Sequence, residues 1–324
     1  MHRRTFIATL LAAGTTTGTV KAQTPVVRGL WVWEGRDMVV SKSRQAKLLT
    51  EAAPLKLTDI YLALATPDYR DLKSRLAAFI MHMGDVGIKV WGLDGSRGFF
   101  SDANGPAGLY ANINALVAYN DSVPDAARFT GFQTDNEPQD LPDFPPHFHS
   151  GLADSQLTPT QANERDALLL DWLNIQTTVY ETLKSNDLRT GAAMVFFTED
   201  HYGEPLRVTY KGVRASIGHL MMGVTDDYVV MSYNTDPLNA AARVTAQAAF
   251  ASKLPADARP RIIAAMETNP GVGATISYGD TPGKQSRSAV LTDMATISRQ
   301  LELYPAFAGV SLHAWRGWQA LPQG

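Results

Sequence analysis

The chain has no cysteine at all. Disulfide bridges, thiolate nucleophiles and cysteine-ligated metals are therefore excluded. It has no excess of one charge either: 29 Lys and Arg stand against 32 Asp and Glu, a formal net charge of −3 over 324 residues. That balance gives no footprint for a nucleic-acid partner, and no block of like charge marks a solvated tail. A Gly-x-Ser-x-Gly elbow is absent, which removes the usual setting for a serine nucleophile. No glycine-rich phosphate loop follows the first apolar run, where Trp33-Glu34-Gly35-Arg36-Asp37 stands instead, so a dinucleotide fold is disfavoured. His147, His149 and His201 have no paired ligand spacing, so no metal site is expected. Nothing in the sequence asks for a cofactor.

The N-terminus reads separately. Met1 to Gln23, MHRRTFIATLLAAGTTTGTVKAQ, has a basic start, a short apolar run and a small-residue exit. Val20 and Ala22 stand three and one places ahead of a cut before Gln23. This is the anatomy of an export signal, too short and too rich in Thr and Gly for a membrane span. Arg3-Arg4-Thr5-Phe6-Ile7 resembles a twin-arginine signal, with His2 where Ser is usual. Residues 1–22 are expected to be a cleaved signal peptide, and residues 23–324 a single exported domain, periplasmic or secreted, without a membrane span.

Within that domain, short apolar runs alternate with longer amphipathic ones. Expected strands cover 29–33, 59–64, 89–93, 129–134, 191–197, 228–233, 261–266 and 308–312. Each is apolar nearly throughout rather than at every second position, as in a parallel strand covered on both faces. Helical spacing is clearest over 69–86, 108–119, 160–183 and 286–303, and weaker over 41–52, 206–219 and 238–253. Thr158 or Thr160 is a plausible N-cap for the third of these. Eight β-then-α repeats without a linker predict a closed (β/α)8 barrel. The proline-rich stretch after the fourth strand reads as a long loop.

In such a barrel, chemistry lies just past the strand ends. Those positions hold Glu34, Asp94, Asp135, Asn136, Glu137, Glu199, Asp200, Tyr233, Asn234, Glu267, His313 and Trp315. The sharpest feature is FTGFQTDNEP, where a run fit for a buried strand ends in two carboxylates and then breaks at Pro138. Glu137 and Glu267, three strands apart, could face one another across the mouth. Glycosidic cleavage needs such a pair: an acid to protonate the leaving oxygen and a carboxylate to attack or to activate water. Trp31, Trp33 and Trp91 lie on strands, where a tryptophan is more often core than sugar platform. Trp33 and Asp94 are nonetheless candidate sugar contacts by position.

Asn136-Glu137-Pro138 with Glu267 resembles the signature of clan A glycoside hydrolases. The resemblance implies Glu137 as acid/base, Asn136 on the sugar 2-hydroxyl, Glu267 as nucleophile, and Tyr233 and Trp315 as substrate contacts. Gly131, Asp135 and Glu137 also match part of the chitinase-type (family 18) pattern D-G-x-D-x-D-x-E, with Thr130 and Gln133 in place of its first two acids. Met231-Ser232-Tyr233-Asn234 resembles that family's sixth strand. That likeness implies Glu137 as acid, Asp135 as its partner, and the substrate's own acetamido group as nucleophile. Glu267-Thr268 and Ser311 to Trp315 are further similar to uncharacterised bacterial secreted barrels taken as glycosidases.

The resulting expectation is an exported glycoside hydrolase acting on a poly- or oligosaccharide. Glu137 is held protonated by partial burial and Asp135, Glu267 stays ionised with a hydrogen bond from Tyr233, and Asn136, Asn234, His313, Trp315, Asp94 and Trp33 bind sugar. A carbohydrate-binding barrel that has lost hydrolysis is the alternative.

Overall fold

The computed structural model describes residues 27–100, 105–140, 148–149 and 151–324. The signal-peptide reading of residues 1–22 lies outside them, as do residues 141–147 and 150 of the proline-rich stretch. Eight strands close a parallel barrel: β1 (Val27–Val32), β2 (Asp59–Ala63), β3 (Lys89–Asp94), β4 (Gly131–Thr134), β5 (Arg189–Val195), β8 (Asp227–Met231), β9 (Arg261–Glu267) and β10 (Phe307–His313). β10 pairs with β1, Leu312 beside Leu30, which shuts the ring. Every strand run expected from the sequence overlaps one of these eight. The chain is a (β/α)8 barrel.

Alternation inside each strand separates two apolar layers. Trp31, Tyr61, Trp91, Leu93, Val229, Ile263 and Ala265 point inward and form one cluster. Leu30, Leu62, Val90, Phe132, Ala264 and Leu312 point outward and join the helices in the other. The inner layer is a packed plug: the rings of Trp31 and Tyr61 lie 4.9 Å apart, and those of Tyr61 and Trp91 6.0 Å. Gly29 is required here, because a Cβ on it would sit 2.4 Å from the Ser311 hydroxyl and 2.8 Å from the Tyr61 ring.

Charge closes the floor. Asp227, at the start of β8, is fully buried; Arg261 reaches it through Nε at 2.8 Å and Nη2 at 2.5 Å, and Arg189 pairs with it as well. Asp59 at the start of β2 accepts the Trp91 indole N–H at 2.8 Å.

The helices follow their expected spans with two changes. The pattern over 69–86 divides into Asp68–Asp71 and Lys73–Asp85. The helix expected over 206–219 is instead an antiparallel hairpin, β6 (Arg207–Tyr210) with β7 (Val213–Ser216), followed by a short helix, Ile217–Met222. Its two-residue turn, Lys211-Gly212, has φ of 50° and 78°, the double positive φ that suits a tight hairpin. Val208, Thr209 and Val213 are β-branched and favour the extended form. The long helix Pro159–Lys184 begins as expected at Thr158, whose hydroxyl accepts the Gln161 N–H while the Gln161 side chain accepts the Thr158 N–H. No helix among the described residues is long and apolar enough to cross a membrane.

Candidate active site

β9 and β10 end side by side, and the register pairs Glu267 directly with His313. Both continue the inward-facing parity of Ile263 and Ala265, so their side chains meet at the mouth. His313 Nδ1 lies 2.6 Å from Glu267 Oε2, and the Asn269 backbone N–H donates to Oε1 at 2.6 Å. Both carboxylate oxygens are thus hydrogen-bonded, and the residue is only 3% exposed. On the other side of the imidazole, Trp33 Nε1 donates to His313 Nε2 at 2.8 Å. Tyr233 stacks on the same ring at 5.9 Å and 28°. Thr268 fixes the turn behind it, its hydroxyl donating to the carbonyls of His313 and Ala314 at 3.0 and 3.1 Å.

Three places round the ring, β4 delivers the second half. The Asp135 N–H donates to the Asp94 carbonyl at 2.9 Å and carries the β3–β4 ladder past the strand end. A Cβ on Gly95 would come within 2.3 Å of the Asp135 carbonyl, so only glycine lets the two chains approach this closely. Asp135 and Asn136 are buried, and Glu137 is half-buried, accepting from Gln139 Nε2 at 2.8 Å. Neither end of the Asn136 amide has a hydrogen-bond partner among the described residues.

Electrostatics ties the halves together. Burial raises the Tyr233 hydroxyl well above its ordinary value, and Glu267, Asp135 and Glu137 all add to the rise. Burial pulls the His313 imidazole down, but its bond to Glu267 and the same three carboxylates lift it above its ordinary value. Acids from two strand ends therefore act on the same two side chains.

Other sequence candidates are placed elsewhere. Trp315 is 1% exposed and packs in the outer apolar layer beneath the helices, so its ring offers no face at the rim. Asn234 accepts the Asp236 N–H at 2.8 Å and turns the chain into the helix Pro237–Ser252. Asp94 accepts Asn112 Nδ2 at 2.8 Å, and that amide also reaches the Leu64 carbonyl. Burial raises the Asp94 carboxyl, against the pull of Asn112 and the Gly95 N–H. Glu199 is engaged by Ser216 and His219, and Asp200 by the Gly203 N–H. Tyr233 does not supply the hydrogen bond expected at Glu267; His313 and Asn269 do. The sequence reading overlooked Asn269, Thr268 and Gln139 as site residues. Their one signal was closeness in the chain to Glu267 and Glu137.

The loop after β9 folds back over this corner, Tyr278 N–H donating to the Glu267 carbonyl at 3.0 Å. Asp280 gathers the backbone N–H groups of Gly271, Val272 and Gly273, each at 2.8 Å. The Gly273 and Gly271 bonds hold its carboxyl below the ordinary value of 3.8. A depressed folded-state value means the brace is complete above 3.8 and is lost as pH falls through the lower folded value. Amide hydrogen exchange at Gly271, Val272 and Gly273 is therefore expected to quicken on acidification through that window, relative to the intrinsic rate. Asp280→Asn should quicken it already at neutral pH. Unchanged protection in that variant would remove the brace.

No protein-family model matches the chain, and no curated protein matches its sequence. Solved structures do match. A chitinase from Bacteroides thetaiotaomicron superposes with a TM-score of 0.50 at 12% identity, over 90% of each chain. A chitinase from Aspergillus fumigatus superposes with a TM-score of 0.50 at 15% identity, over 91% of this chain and 93% of that one. At such identities the likeness is one of fold, and it agrees with the (β/α)8 barrel described above.

Proposed function

We propose that the chain is a glycoside hydrolase exported under the direction of residues 1–22 and acting on a poly- or oligosaccharide. What supports this reading most is that the charges of Glu267, from one strand end, and of Asp135 and Glu137, from another, all bear on the Tyr233 hydroxyl and the His313 imidazole. Glu137, the most open of the three, protonates the leaving oxygen and then activates water. Glu267, oriented by His313 and Asn269, attacks the anomeric carbon. Asp135 orients Glu137. Asn136 adds support: a buried amide with both ends unbonded costs about 1–3 kcal/mol unless a ligand completes it, and a sugar hydroxyl both donates and accepts. Trp33 and Tyr233 supply the aromatic wall.

A second reading is favoured by the enclosure of Glu267, whose two oxygens are already hydrogen-bonded. In it the substrate's acetamido oxygen attacks, Asp135 steadies the acetamido group, and Glu267 stabilises the oxocarbenium charge through space. Azide separates the two. Glu267→Gly with azide should yield a glycosyl azide of inverted configuration if Glu267 is the nucleophile. Absence of that product, with inhibition of the parent by a thiazoline analogue of an N-acetyl sugar, would move the role to the substrate. The first experiment is a panel of polysaccharides offered to protein beginning at Gln23. Saturable binding without new reducing ends, unchanged by Glu137→Gln, would overturn hydrolysis and leave a binding protein.

A further inference from the structure

His313 lies between two groups whose hydrogen-bonding capacity is fixed. Its Nε2 is 2.8 Å from the Trp33 indole nitrogen, which can donate but never accept. Its Nδ1 is 2.6 Å from Oε2 of Glu267. A proton on Nε2 alone would set N–H against N–H at Trp33 and turn a bare lone pair on the carboxylate. Protons on both nitrogens would satisfy Glu267 but keep the conflict at Trp33. A protonated Glu267 donating to Nδ1 again forces the ring proton onto Nε2. Only the neutral ring protonated at Nδ1 satisfies both neighbours. The Asn269 side-chain amide, with its nitrogen placed 3.3 Å from Nδ1, suits this pattern with its oxygen turned inward, since the two ends of an amide have the same outline.

We propose that Trp33 is a positioning residue that locks His313 as the neutral Nδ1–H tautomer, so that a neutral donor orients Glu267 and leaves its negative charge for the sugar. The consequence for catalysis rests on the hydrolase reading; the tautomer does not. The groups facing the imidazole are Glu267 from β9, Asp135 and Glu137 from the end of β4, Tyr233 past β8, and Trp31 and Trp33 from the β1 side. The three carboxylates favour a charged ring and the indole N–H opposes it. Remove the indole and the carboxylates win. An imidazolium would then pair with Glu267 and draw on the charge that the reaction uses.

Long-range nitrogen–proton correlation NMR on the full folded domain distinguishes both neutral tautomers from the cation, with His313→Gln to assign the signal. In the parent, His313 is expected to be neutral and Nδ1-protonated at about pH 8 and to take up its second proton only on acidification. In Trp33→Phe it should take up that proton at a pH about one unit higher, the size of one lost hydrogen-bond conflict. On a substrate from the panel, Trp33→Phe should lose about tenfold in kcat between the two titrations, beyond the parent's own acid limb. A cationic or Nε2–H ring in the parent at about pH 8 overturns the proposal, and this measurement needs no variant fold to survive. A Trp33→Phe ring that takes up its second proton no earlier than the parent's overturns it equally. The expected spectra on a protein inert to every glycoside would uphold the lock and overturn the hydrolase reading.

Discussion

Glu137→Gln is expected to slow glycoside turnover by about 10²–10⁴-fold, the range that general acid–base catalysis supplies, while the melting temperature stays where it was. The geometry gives both halves of this expectation. Glu137 follows a fully buried strand end yet is itself only half-buried, and it accepts a hydrogen bond from Gln139 Nε2. An amide oxygen in its place can accept that bond, so the mouth keeps its shape. What the amide cannot do is release a proton to a departing alkoxide. The loss should fall on kcat, and it should be smaller for a substrate whose leaving group needs no proton, such as an activated aryl glycoside. Parent-like rates on an unactivated polysaccharide would remove Glu137 from the acid role.

The mouth was legible to the extent that strand ends were legible. Parallel strands covered on both faces are apolar from end to end, so their limits stand out, and Thr134-Asp135-Asn136-Glu137 and Met266-Glu267 mark two of them without ambiguity. The hairpin over 207–216 is hard to read because its strands alternate weakly, with Arg207, Lys211 and Arg214 set among the β-branched residues, and a short apolar helix follows at once. Pairwise geometry across the barrel seam was invisible for a different reason. Trp33 and His313 are 280 residues apart in the chain, and only closure of β1 on β10 makes them neighbours. Parity then decides the rest: position 313 shares the inward face with 267, whereas Trp315 goes into the helix Trp315–Ala320 and turns outward. Counting residues past a strand end cannot foresee that turn.

The floor of the barrel gives the second large effect. Asp227→Ala is expected to lower unfolding free energy by about 3 kcal/mol, the lower end of what breaking a buried ion pair costs. Asp227 is wholly buried and anchors two guanidinium groups, from the starts of β5 and β9, on either side of its own strand. Its removal leaves Arg189 and Arg261 facing each other across the gap. Their side chains are 33% and 24% exposed, so water relieves part of the penalty, and Arg189 keeps its place over the Trp91 ring at 5.4 Å. Those two facts set the estimate at the lower bound. Asp227→Asn, which retains one acceptor and the volume, should cost less. Denaturant titrations of parent and both variants check the order, and equal midpoints for all three would show that the arginines are satisfied by solvent. Well below the melting range, neither change should alter kcat on the substrate that Glu137 serves. Stability is held at the strand starts and chemistry at the strand ends, and between them lies the plug of Trp31, Tyr61 and Trp91, anchored to the floor where Asp59 accepts the Trp91 indole N–H.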